Sequence, residues 1–216
     1  MQKLLFAVLL SLLCLPTADA AMEQEIVIQS ARILRKFRSM PETAIPDRVL
    51  RNAEGLAILT VVKVGFGLSG KGGQGVVVAR TPDGWSDPSF VGTGGAGWGL
   101  QIGAQITEFV FVLNTREAVR AFSRDGNVTL GADLSAAAGP VGRDLQASVL
   151  PRAAVYTYSR SEGLFAGASL EGAIIATQKT ANRRYYGRAA RATEILSGRV
   201  RSRRAAPLQA ALRGRR

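Results

Sequence analysis

Residues 64–75 read VGFGLSGKGGQG, and two phosphate-binding patterns overlap there. Gly65, Gly67 and Gly70 spell G-x-G-x-x-G, while Gly65 through Lys71 spell G-x-x-x-x-G-K. Either pattern cradles a phosphate only when a strand enters the glycine loop and a helix N-terminus leaves it. Here the stretch leads into GVVVAR (75–80), a β-branched strand run, and it follows LAILTVVKV (56–64), another. The position after Lys71 is Gly72, so the hydroxyl that would hold magnesium is missing. The acids available for a ribose, Asp83 and Asp87, both fall in a turn around Trp85. The stretch is therefore read as a glycine-rich strand–turn–strand connection, and nucleotide binding is set aside.

Outward from this stretch, strand-like runs follow one another with short turns. TPDGW (81–85) is a turn, SFVG a short strand, and GWGLQIGAQITEFVFVLN (97–114) a long strand interrupted by glycines. AAVYTYSRS (153–161) and LFAGASLEGAII (164–175) continue the pattern, with a turn at Glu162-Gly163. No regular alternation of strand and long helix is present, which argues against a doubly wound parallel sheet. Glycines inside strands mark bends and close backbone packing. The expected fold class is α+β: a curved, glycine-rich antiparallel β-sheet or partly closed barrel, with flanking N-terminal and central helices.

Helices are expected at 22–38, 47–54 and 114–124, with a further one over 177–187. Asp47 is read as an N-cap, and Asn114 as another with Glu117 reaching back. In the first helix Ile26, Val27, Ser30, Ile33, Leu34 and Phe37 share one side, and Arg32, Arg35 and Lys36 fall opposite, with Arg38 near the boundary. One reading packs the apolar side on the sheet. The other sets Arg32, Arg35, Lys36 and Arg38 against anionic headgroups, with shallow apolar insertion.

The chain has 216 residues, 28 Lys and Arg, 16 Asp and Glu, and no histidine. Residues 1–20 read as a secretory signal peptide cleaved after Ala20: a basic start at Lys3, an apolar run from Leu4 to Leu15, and a small-x-small end. An uncleaved anchor is the alternative. The single cysteine, Cys14, lies in that leader, so the mature chain is expected to hold no disulfide. Residues 187–216 carry nine arginines against Glu194 alone, so eight of the twelve net positive charges sit in an Arg/Ala-rich tail (188–216), expected to be loosely ordered or marginally helical.

Without histidine, Ser-His-Asp and Cys-His catalysis are excluded, and so is a zinc site of the usual ligands. The Asp83/Asp87 pair is explained by a solvated turn, and Glu108 by a hydrogen bond inside the barrel or by exposure. No catalytic residue, metal ligand or cofactor is expected. Arg143 in GPVGRD is read as pairing with a nearby carboxylate. No nucleic-acid motif is present, and no specific nucleic-acid partner is expected.

Several segments together resemble the SYLF domain family: 54–80, 84–115, 128–143 and 156–175, closing with NRRYYG at 182–187. The resemblance runs from about Ala31 to Gly187, and the domain is placed at 22–187. It implies a non-enzymatic lipid-binding module for phosphoinositide-like or other acidic phospholipid, acting at a membrane surface through a basic N-terminal helix. Yeast-type relatives bind actin filaments and carry an SH3 domain; this chain shows no SH3 segment. With its leader, it resembles the secreted bacterial-type members, located in the periplasm or on the envelope and away from cytosolic actin. The site residues carried over are Arg32, Arg35, Lys36 and Arg38; Lys63 and Lys71 are added from their expected exposure. The alternative reading is a structural or protein-interaction module of the envelope.

Overall fold

The glycine-rich stretch is strand throughout. In the computed structural model, which describes residues 18–40, 44–124, 126–130, 132–140, 153–163 and 174–214, strand β1 runs unbroken from Gly55 to Thr81. It pairs antiparallel with β3, Ser89–Leu113, along nearly its whole length. The turn expected within the glycine-rich stretch is thus replaced by continuous pairing, and the short strand SFVG is only the start of β3. One register shift, between Phe66 and Leu68, marks the midpoint. A bulge of this kind bends a ribbon and increases its twist.

The bend brings β1 back on itself. The Arg80 amide donates to the Glu54 carbonyl at 2.7 Å. A Cβ on Gly75 would stand 2.0 Å from the Ile58 oxygen, and one on Gly73 would stand 2.9 Å from the Thr60 oxygen. The first half of β1 therefore runs antiparallel along its second half, at a distance only glycine allows.

Short strands complete the sheet: β2 (Gly84–Trp85), β4 (Asn127–Thr129), β5 (Ala136–Ala138), β6 (Val155–Gly163) and β7 (Ile174–Thr177). The order is β2-β1-β3-β6-β5, with β7 joining β3 to β4. β5 pairs parallel with β6, so the sheet is mixed and not wholly antiparallel. It curls into a half-barrel, the α+β fold expected. The Glu162-Gly163 turn is instead the end of β6. Arg143 and residues 164–173 lie outside the described residues, as does most of the leader read at 1–20.

Both faces of the sheet are covered along 55–61, 76–79 and 109–113, which is why these segments read as unbroken apolar runs. On one face Leu56, Ile58, Val76, Val110 and Val112 pack under helices α1 (Ala18–Ser39), α2 (Asp47–Asn52), α4 (Lys179–Tyr186) and α6 (Ala206–Arg213). On the other, Ala57, Leu59, Val77, Phe109 and Phe111 pack with α3 (Arg116–Ser123) and α5 (Ala192–Leu196). The N-cap of α3 is Thr115, whose hydroxyl accepts from the Ala118 amide, not Asn114. Asn114 instead donates to the Ala153 carbonyl at 3.0 Å. Pro46, not Asp47, occupies the N-cap position of α2.

The C-terminal segment is not loosely ordered. After α5, a 3-10 turn (Arg203–Ala205) leads into α6, and Ile195, Leu196, Val200, Leu208 and Leu212 are buried. The Arg/Ala composition conceals a leucine spacing, 208 and 212, that lays one face of α6 on the core.

Candidate binding surface

Helix α1 buries Val27, Ala31, Ile33, Leu34 and Phe37 beneath it. Its apolar side is thus spent on the sheet, and shallow insertion of that side into a bilayer is not available in this fold. The four helix cations divide. Arg32 and Arg35 are exposed, and Arg32 lies 3.5 Å from Glu25, itself exposed. Lys36 turns inward, and its half-buried ammonium donates to the largely buried Glu108 at 2.9 Å. Glu108 therefore does sit in a hydrogen bond within the fold. Arg38 reaches Asp47 at 3.6 Å and donates to the Ala211 carbonyl at 3.0 Å, at the end of α6. A cation there also meets the negative end of that helix.

Lys63 and Lys71 lie elsewhere. Both are partly exposed, and both fall in the alternation of Leu59, Val61 and Val77, the face opposite α1. The six expected cations therefore do not form one site. Interleaved with Lys63, Val62 and Val64 point to the α1 side, with Ile106 opposite Val62 in register. All three are exposed, just beyond the Lys36–Glu108 pair where α1 ends. Thr60, in the same alternation, is the register partner of Glu108.

The same side carries cations that the sequence reading did not assign. Arg183 and Arg184 on α4, Arg203 on the 3-10 turn and Arg213 on α6 are exposed. Among the residues of α1, α4, the turn and α6 whose exposure is described, Glu25 is the one exposed acid. The signal was present in the absence of any acid from KTANRRYY and APLQAALR.

Asp83 is exposed, but Asp87 is buried, contrary to a solvated turn. Burial pushes its carboxyl above the usual aspartate range, against the opposing pull of the Ser202 amide, Gln209 and Arg201. It accepts from the Ser202 amide and from Gln209 at 3.1 Å, so it anchors the C-terminal segment. Among the described residues, no cluster of His, Cys, Asp or Glu is placed to hold a metal. No helix among them is long and apolar enough to cross a membrane.

The described residues form a curled sheet with a basic helical layer on one side. The family model described as "Ysc84: Las17-binding protein actin regulator" matches residues 94–215. SH3 domain-containing YSC84-like protein 1 of Homo sapiens is 48% identical over 178 residues, covering 79% of this chain and 52% of that protein. LAS seventeen-binding protein 3 of Saccharomyces cerevisiae is 48% identical over 183 residues, covering 80% of this chain and 40% of its own length. The chain belongs to the Ysc84, or SYLF-domain, family. It spans about half the length of the curated relatives it matches.

Proposed function

We propose that this chain is a non-enzymatic module that docks on anionic phospholipid at a membrane surface. The observation that carries the reading is a shared side: the exposed cations Arg32 and Arg35 of α1 lie on the same side of the sheet as the exposed Val62, Val64 and Ile106. Cations beside an apolar strip suit a headgroup layer over acyl chains. Each Lys or Arg near such a surface contributes about 1 kcal/mol, falling with salt. The apolar contact is thereby moved from α1 to the β1–β3 ribbon. Lys36 and Arg38 become supports of the fold, and Arg183, Arg184, Arg203 and Arg213 extend the basic side. From the leader read at residues 1–20 we further infer that this activity lies in the periplasm or on the envelope.

A second reading, a protein-interaction module, is favoured by the internal use of Lys36 and Arg38. The family description and the yeast relative's name, which specify binding to Las17, point the same way.

Co-sedimentation with vesicles of phosphatidylcholine, with and without phosphatidylserine, separates the two. The lipid reading expects retention only with phosphatidylserine, lost as salt rises and weakened by Arg32→Gln with Arg35→Gln. Equal retention on both vesicles, or none, overturns it in favour of a protein partner.

A further inference from the structure

A cleft of about 700 Å³ opens on the face of the sheet opposite α1, between α3, α5 and the β1–β2 corner. That volume lies within the ~300–1,000 Å³ range of small-molecule sites. Its lining is two-sided in chemistry. Ala79, Val119 and Leu196 supply an apolar floor, while Arg80, Arg116 and Arg120 stand around it.

The three guanidinium groups are not equivalent. Arg80 is committed to the fold: it lies 3.9 Å from the Trp85 ring centre and donates to the Leu50 carbonyl at 3.2 Å, at the end of α2. Arg116 and Arg120 stand one turn apart on α3 and are 81% and 64% exposed. Arg116 is 3.7 Å from Glu54, and Arg120 pairs with Glu117. Exposed pairs of this kind contribute little, so either guanidinium can exchange its carboxylate for a ligand oxyanion at small cost. Planar guanidinium forks suit the bidentate oxygens of phosphate and carboxylate. Thr81 also lines the cleft, and its Oγ1 is buried with no hydrogen-bond partner among the described residues.

We propose that this cleft binds a single amphiphilic anion, its alkyl body on Ala79, Val119 and Leu196 and its phosphate or carboxylate head on Arg116 and Arg120. The site is separate from the surface formed by Arg32 and Arg35, which lies across the sheet. The ligand is drawn either from a membrane or from free amphiphile in solution.

Titration calorimetry of the full chain with dodecyl phosphate, kept below its critical micelle concentration, tests the site. One-to-one binding is expected. Arg116→Gln with Arg120→Gln should weaken it at least tenfold with an unchanged circular dichroism spectrum, because both side chains are exposed. Inorganic phosphate and dodecyl maltoside, each lacking one half of the ligand, should bind at least tenfold more weakly. Arg32→Gln with Arg35→Gln should leave dodecyl phosphate binding unchanged, whatever it does to vesicle binding. No saturable binding, equal binding by the α3 double variant, or equal binding of inorganic phosphate or the maltoside overturns the proposal. Phosphatidylserine vesicles then assign the source: reduced retention of the α3 double variant points to membrane lipid, and unchanged retention to free amphiphile.

Discussion

Gly75 lies against the backbone of Ile58 within the same strand, so closely that a Cβ at residue 75 would stand 2.0 Å from the Ile58 carbonyl oxygen. The obstacle is backbone on both sides and cannot rotate away. Gly75→Ala is expected to cost more than about 3 kcal/mol, at the severe end of single substitutions. Gly72, three residues earlier, has open space where its Cβ would go. Gly72→Ala is expected to change stability by less than about 0.5 kcal/mol, or to raise it slightly through the unfolded chain. Urea midpoints of the two variants check the contrast.

Lys36 and Glu108 test whether an α1 cation belongs to the fold or to a surface. Lys36→Gln removes the ammonium 2.9 Å from a largely buried carboxylate, and a loss of about 1–3 kcal/mol in urea unfolding is expected. Arg35→Gln, on the exposed side of the same helix, should stay within about 0.5 kcal/mol. Equal losses at the two positions would mean that Lys36 is not the structural member.

The C-terminal segment can be tested through Leu208, which is fully buried against the α1 side of the core. Leu208→Ala should cost about 2–5 kcal/mol. A chain ending at Gly187 should lose cooperative thermal unfolding, because Ile195, Leu196, Val200, Leu208 and Leu212 leave the core together. A sharp transition at an unchanged temperature would show that the sheet and α1 stand alone.

Asp87 predicts a pH dependence of definite sign. Burial raises its carboxyl above the unfolded value, so the native state binds the proton more tightly than the unfolded one. Its contribution to stability therefore falls as pH rises through the interval above the ordinary aspartate range, and it is recovered on acidification. Glu117 and Glu194 are shifted downward by hydrogen bonds and work in the opposite direction. The measurement is therefore a difference: melting temperature of the wild type minus that of Asp87→Asn, followed from about pH 7 to pH 4. The difference should move in favour of the wild type as pH falls.

The fold class was legible because β-branched runs and turn chemistry are local signals, and so is the 3.6-residue spacing of Val27, Ile33, Leu34 and Phe37. The continuity of β1 was not. Glycines at 65, 67, 70, 72 and 73 read locally as a turn, and only their pairing partners in β3 (Gly72 opposite Gly94, Gly65 opposite Gly103) make them a strand. The surface was half legible. Helical spacing put Arg32 and Arg35 outward, but whether Lys36 meets water depends on Glu108, 72 residues away. Arg116 and Arg120 show their one-turn spacing in the sequence; the apolar floor beside them comes from β1 and α5, and no local pattern announces it.

Arg38 grips the Ala211 carbonyl across 173 residues of chain. A ribosome adding about 5–20 residues per second needs on the order of 10–30 s to cover that gap. Throughout that interval the first helix has no α6 to lie against, and its greasy stripe is open to any chaperone waiting for the nascent polypeptide. Closure of this domain is a late event, timed by the arrival of its final turn.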